Sequence, residues 1–566
     1  MTTLEIPDTV PPYHERASSS TSVAETAVDS EENAEPSVPK DIPRTIPPQH
    51  DSRTLVLCFD GTGDQFDADN SNIVQLCWLL KKDDRSQQMV YYQAGVGTYT
   101  PPRIPGLITS KVYKVRTAVD LMIACSLDAH VMDGYQFLMQ NYHAGDRVCI
   151  FGFSRGAYTA RSLAGMIHKV GLLPPDNFQQ VPFAYQMYTR TDEIGWCQST
   201  AFKESFCVDV PIEFVGVWDT VDSVGLVPKR LPFTASNTII RTFRHAVSLD
   251  EHRAKFKANL WNLPTTKEMQ LGTPSSSRYS SRKNTVDRPQ HVHGMKSGIE
   301  WRPDDERFLR KMEELHASDF AQPTDVEEVW FAGCHCDVGG GSVKNSTRYS
   351  LARIPLRWMI RECFKAQTGI MFDSDRLREI GLDPATLYPS VKPRPRALSV
   401  KSAIIQREPK KKPLFERILS TFRRLPPALP DTPDEGQTLT PETLSVSMDD
   451  EQCPPIGTEE EEELGDVLSP IYDQLKRSKL WWILELMPME FRRQTGNGEW
   501  VSWFGINLGR PREIPNSTSG IKVHRSVRMR MEACRGHDRG KYQPKAQFTN
   551  PIWIDDDIFS ETGQRE

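Results

Sequence analysis

Short apolar runs that end in turn residues alternate along this chain with a longer stretch of helical periodicity. Thr54–Phe59 is apolar almost throughout and runs into Asp60-Gly61-Thr62-Gly63; Met89–Tyr92 is followed closely by Gly95-Val96-Gly97. Arg147–Phe151, Ile212–Trp218 and Val329–Ala332 repeat the pattern. Between them, Val119–Tyr142 places Leu121, Ile123, Leu127, Val131, Tyr135 and Leu138 at roughly helical spacing. Strands that are apolar on both sides and separated by helices predict an α/β fold: a mainly parallel sheet covered by helices, of the α/β-hydrolase kind. Chemistry in such sheets collects just beyond the carboxyl ends of the strands.

Composition limits how much of the chain takes part. Hydrophobic residues are 38% of 566 and prolines number 42, with a mean hydropathy of -0.50. Low apolar content is concentrated in segments expected to be disordered: residues 1–50, an insert at 264–298, and a charged insert at 389–466. The last runs from Lys410-Lys411-Lys412 to Glu459–Glu463, and charge blocks of this kind read as solvated. That leaves a hydrolase domain over 51–388 and a Trp-rich extension, 467–555, expected to pack back on it as extra strands, the alternative being a wall of the acyl pocket or a surface in peripheral membrane contact. Leu172–Tyr188 reads as a lid over an apolar substrate or as core. The net charge of -6 offers no electrostatic case for nucleic acid. No basic-then-apolar leader and no uncharged run of about 20 apolar residues is present, so a cytoplasmic protein is expected.

Four strand ends carry candidate chemistry. Gly152-Phe153-Ser154-Arg155-Gly156 lies between a strand and a helix, the setting of a nucleophilic serine on a tight turn. A serine needs a base, and the base needs an acid to orient it. Asp219 follows Ile212–Trp218, and His335 follows Val329–Ala332, giving the chain order Ser154, Asp219, His335. Asp222 competes for the acid, and His245 and His252 for the base; Phe243–Leu249, which holds His245, reads as helical. Backbone N–H groups of Arg155 and of the Gly61, Thr62, Gly63 loop are the candidate oxyanion donors. Asp60-Gly61-Thr62 superficially resembles the haloacid-dehalogenase motif, but Cys58 stands where that motif needs its nucleophilic aspartate. Cys334, His335, Cys336 and Asp337 lack zinc-ligand spacing; a hard cation near Asp60 and Asp337 remains a weaker alternative. No cofactor is expected.

Taken together, Phe59-Asp60-Gly61-Thr62, Gly152–Ala157, Trp218–Val221 and His335–Gly340 resemble the motif set of the DUF2235 α/β-hydrolases, which include the catalytic domain of type VI secretion phospholipase effectors. Arg244–Glu251 and Leu356–Met359 match it too. The resemblance covers roughly 53–375 and implies a serine hydrolase with Ser154 as nucleophile, Asp219 as acid and His335 as base. It also implies a lipid or phospholipid ester as substrate, while the membrane-docking modules of the bacterial effectors have no match in this sequence. The head, inserts and tail resemble fungal members of the family. The competing reading is a hydrolase-like scaffold that recruits partners through its inserts.

Overall fold

Each apolar run named above is part of a strand of one sheet. The structure, a computed structural model, describes residues 42–95, 127–221, 230–262, 309–313, 323–400, 403–406, 457–495, 500–515, 520–533 and 541–554. The first 41 residues, the 264–298 insert and Asp222 lie outside the described residues.

A short pair, β1 (Thr45–Ile46) with β8 (Phe372–Asp373), stands apart from the main sheet. The main sheet comprises β2 (Thr54–Phe59), β3 (Gln88–Gln93), β4 (Arg147–Phe153), β5 (Ile212–Trp218), β6 (Ile240–Ser248), β7 (Asp325–Phe331), β11 (Ile521–His524) and β12 (Pro551–Ile554). Its order is β12-β11-β7-β6-β5-β4-β2-β3, and every pairing is parallel. All the carboxyl ends therefore lie along one edge. A separate hairpin joins β9 (Met489–Gln494) to β10 (Trp500–Gly505).

The central strand β4 shows why its sequence is apolar at successive positions. Val148 and Ile150 face one layer, packing with Val131 and Leu138 of the Leu127–Asn141 helix and with Leu163 and Ile167 of the Arg155–Val170 helix. Strand alternation sends Phe151 to the opposite face, where its ring meets Phe214 at 5.6 Å and Trp218 at 6.3 Å. The Arg353–Lys365 helix closes over that second face: a Cβ at Gly216 would lie 2.8 Å from Met359 Sδ. Val181, Ala184, Met187 and Tyr188 belong to the first core layer, so the Leu172–Tyr188 region contributes core.

Two sequence expectations change. The acidic block is an ordered helix, Glu459–Val467, with Glu462 and Glu463 each 1% exposed. Arginines from distant parts of the chain neutralise it: Arg348 reaches Glu462 at 2.5 Å, Arg357 reaches Asp466 at 2.5 Å, and Arg525 reaches Glu463 at 2.6 Å. Burial alone would raise the Glu463 carboxyl, but Arg394 and Arg525 bring it down to about 2. Thr458 and Glu461 close the helix start as a capping box. Secondly, Phe243–Leu249 is not helical; residues to Ser248 belong to β6. Arg244 is tolerated in that buried strand because Glu362 and Asp325 accept from it at 2.6 and 2.7 Å. The tail supplies extra strands of the same sheet, as its apolar content suggests, with β11 parallel to β7 and β12 beyond it. The described residues from 43 onward form one compact unit.

Candidate active site

The turn after β4 imposes its own residue choices. Ser154 has φ 59, a left-handed conformation that costs a side-chain-bearing residue strain. Its N–H donates to Trp218 O at 3.0 Å, tying the turn to the end of β5. A Cβ at Gly152 would sit 2.5 Å from Ala157 Cα, and one at Gly156 would sit 2.3 Å from Asp60 O. Glycine is thus required on both sides, because the turn is pressed between its own helix and the end of β2.

Ser154 Oγ lies 2.7 Å from His335 Nε2, and His335 Nδ1 lies 2.5 Å from Asp219 Oδ2. His335 opens a short helix, His335–Gly339, just past β7; Asp219 follows β5 directly. Phe153 and Phe256 hold the imidazole, at 4.7 and 4.8 Å between ring centroids. Burial lowers the pKa of His335, and the facing Asp219 carboxylate opposes that only in part. A lowered pKa favours the neutral ring, and in the tautomer that donates Nδ1–H to Asp219 the Nε2 atom is the acceptor facing Ser154 Oγ. If His335 is the base, kcat/KM should fall along an acid limb whose midpoint lies below the ordinary histidine value of 6.5. A pH–rate profile with a soluble ester reads this directly, and a midpoint above 7 would contradict it.

Asp219 is fully buried, yet its carboxyl is held well below the usual carboxylate range. Burial by itself pushes upward, and the Arg512 guanidinium and His335 more than reverse it. Arg512 donates to both carboxylate oxygens, at 2.5 and 2.9 Å, while the Ser248 N–H donates to Oδ1 at 2.8 Å. A second brace holds the His335 loop. Asp250 accepts from Gly333 N at 2.7 Å and Tyr542 OH at 2.5 Å, and Glu251 accepts from His335 N at 3.2 Å. Arg512 and Tyr542 both come from the tail. Neither was singled out from sequence, since nothing local marks an arginine for a partner 293 residues away.

The rival histidines are engaged elsewhere. His245 Nε2 accepts from Thr220 N at 3.0 Å, and its Nδ1 faces Glu328 at 2.8 Å, so it supports the turn beneath Asp219. His252 links Gly509 O and Asp473, at 3.0 and 2.9 Å. Neither is bonded to Ser154.

The loop after β2 lies against the serine turn: a Cβ at Gly61 would meet the Phe153 ring at 2.7 Å. Gly61 is a poor oxyanion donor, because its N–H is committed to Asp60 Oδ1 at 2.8 Å. Gly63 (φ 79) and Thr62 follow, and Thr62 Oγ1 is buried without a hydrogen-bond partner. Arg155 begins its helix, so its backbone N–H has no acceptor within that helix. The Arg155 side chain is also notable. Its Nη1 is buried without a partner, and burial, with no carboxylate opposing it, brings the guanidinium down to about 10. Its charge in turn lowers the amine of nearby Lys255, which burial already depresses.

Asp60 and Asp337 are occupied by separate donors. Asp60 accepts from Ser71 Oγ at 2.6 Å and Tyr92 OH at 2.8 Å, whereas Asp337 accepts from Cys334 N at 2.9 Å and Tyr472 N at 3.0 Å. Burial raises Asp337 to about 7. Among the described residues, no group of three or more His, Cys, Asp or Glu is arranged to hold a metal ion.

A parallel sheet with a serine on a strained strand-to-helix turn, and an acid and a histidine beyond later strands, has the architecture of an α/β-hydrolase. Residues 53–362 match the family described as "T6SS, Phospholipase effector Tle1-like, catalytic domain". That is more than half of the chain, which therefore belongs to this family of lipase-type hydrolases. It is also similar to the uncharacterized protein YEL023C of Saccharomyces cerevisiae, 29% identical over 88% of this chain and 81% of the yeast protein. Two solved structures are more distant. An uncharacterized protein from Pseudomonas aeruginosa has 18% identity and a TM-score of 0.30, covering 60% of this chain and 49% of that one. The Tle1 effector bound to the VgrG spike of the type VI secretion system has 14% identity and a TM-score of 0.25, covering 52% of each chain. This chain thus spans about half the length of the solved structures it matches. No helix among the described residues is long and apolar enough to cross a membrane.

Proposed function

We propose that this protein is a serine hydrolase that cleaves acyl esters of lipids, with phospholipids the favoured class. The observation that carries the reading is the continuous hydrogen-bonded path from Ser154 Oγ through His335 to Asp219, at 2.7 and 2.5 Å. In this reading Ser154 Oγ attacks the ester carbonyl while His335 Nε2 takes its proton and passes it to the leaving alcohol. Water then enters by the reverse path and releases the acid. Asp219 keeps the imidazole in the required tautomer and stabilises the imidazolium. The Arg155 N–H, with donors from Thr62 and Gly63, would hold the oxyanion, each such donor contributing about 2.7–4 kcal/mol to lowering the barrier. The family match supports the lipid substrate.

The Arg155 guanidinium supports a substrate with a negative charge beside the ester, as a phosphodiester headgroup provides. A buried cation without a counter-charge is costly, and a substrate anion would supply one. Arg155→Met should lower kcat/KM for an anionic ester by roughly 10- to 100-fold, the size of one charged hydrogen bond. A neutral ester of equal acyl length should change far less. The paired assay, with Ser154→Ala as the blank, tests substrate class and site together. Equal loss on both esters would remove the argument for an anionic substrate.

A further inference from the structure

The C-terminal extension exposes large apolar side chains where a water-soluble surface would bury them. Ile483 is 57% exposed, Phe504 74% and Leu508 51%, and Trp482, Leu486 and Trp503 are exposed with them. These residues come from the Trp481–Glu485 helix and the Leu486 that caps it, from β10 and from the loop after it. One buried carboxylate binds the helix and loop together. Glu485 accepts from Ala254 N, from Asn507 Nδ2 at 2.6 Å and from Gly509 N at 2.8 Å, while its carbonyl accepts from Leu508 N at 3.2 Å. A two-stranded hairpin has no second layer in which to hide apolar residues, and a cluster of this kind marks a surface that something covers.

We propose that this face docks on the surface of an anionic phospholipid bilayer. Three observations select that occupant. The side chains are the Trp, Phe, Leu and Ile that settle at a membrane interface. Their surroundings are cationic: residues 476–513 hold seven Lys or Arg against four Glu, in a chain whose net charge is -6. Lys476, Lys479, Arg493 and Arg510 are exposed on this segment, with Lys476 beside Asp473 and Arg493 paired to Glu513, and exposed cations of this kind attract acidic headgroups. Finally, the patch adjoins the candidate active site. Trp481 packs on Phe256 at 5.4 Å, and Phe256 packs on His335 at 4.8 Å. Arg253 stacks on both Phe256 and Trp481, at 3.5 and 4.7 Å, fixing that relay. A bilayer on this face would lie two rings from the imidazole, so the surface serves the lipid-ester reading above, on which its purpose rests.

Vesicle flotation tests the surface separately from the chemistry, because it can be run on Ser154→Ala protein. Full-length Ser154→Ala should float with vesicles of phosphatidylcholine and phosphatidylserine, and less with phosphatidylcholine alone. Adding Trp482→Ser and Phe504→Ser should weaken partitioning by about tenfold or more. Adding instead Lys479→Glu and Arg510→Glu should abolish the preference for phosphatidylserine. With an intact Ser154, the Trp482→Ser/Phe504→Ser variant should hydrolyse a soluble short-chain ester like the unaltered protein. If its fold is lost, quenching of tryptophan fluorescence by brominated lipid in the unaltered chain replaces it. Failure to float and to quench, or flotation unchanged by both double substitutions, would overturn the proposal. So would light scattering that shows a dimer dissociated by Trp482→Ser/Phe504→Ser, since the occupant would then be a second copy. Flotation without hydrolysis of any ester would leave the docking surface standing and sink the lipid-ester reading alone.

Discussion

Ser154→Ala should lower ester turnover by about five to six orders of magnitude while leaving the fold intact. Losing the nucleophile of such an assembly removes nearly the whole benefit of the group, and the remaining acceleration comes from oxyanion donors and binding. Ser154 sits at φ 59 with its Oγ spent on His335. Alanine keeps the Cβ that the turn already accommodates, so the thermal midpoint should change little. Active-site titration together with a melting curve separates the two effects. A variant that retains a tenth of the activity would show that another group is the nucleophile.

Arg512→Met carries the second large effect, and it couples stability to chemistry. Arg512 is the cationic partner of a fully buried aspartate, and it also donates to Ser248 O and Phe256 O. Removing one member of such a pair leaves a buried charge uncompensated, at a cost of about 3–5 kcal/mol. A mere loss of packing would stop there. Without the guanidinium, however, the full Asp219 charge falls on His335 and favours the imidazolium. The acid limb of kcat/KM should therefore move to higher pH, a shift that lost stability alone does not produce. Arg512→Lys should restore part of it, since lysine returns the charge but not the two-pronged contact. A destabilised variant with an unmoved pH profile would make Arg512 purely structural.

The same residue shows where the sequence stops being legible. Ser154, Asp219 and His335 are legible as candidates because each sits just beyond a locally recognisable apolar strand, and position relative to that strand is a short-range signal. Gly61 failed as a donor for an equally local reason, since the carboxylate one residue earlier takes its N–H. Arg512, Tyr542 and the arginines around Glu459–Val467 act across gaps in sequence that no window of composition spans. Five consecutive glutamates look solvated until their partners are known, and those partners lie on other elements of the fold. β6 was misread for a related reason: Arg244 breaks its apolar pattern, and only Glu362, 118 residues on, makes that arginine acceptable inside a sheet.

The central claim is that Ser154 is an activated nucleophile. Labelling the folded protein with a fluorophosphonate probe, followed by peptide mass mapping, tests it most directly. A single phosphonylated site at Ser154 is expected, lost in Ser154→Ala and strongly slowed in His335→Ala. A folded protein that takes no label, or a Ser154→Ala variant that labels as well as the unaltered chain, would contradict it.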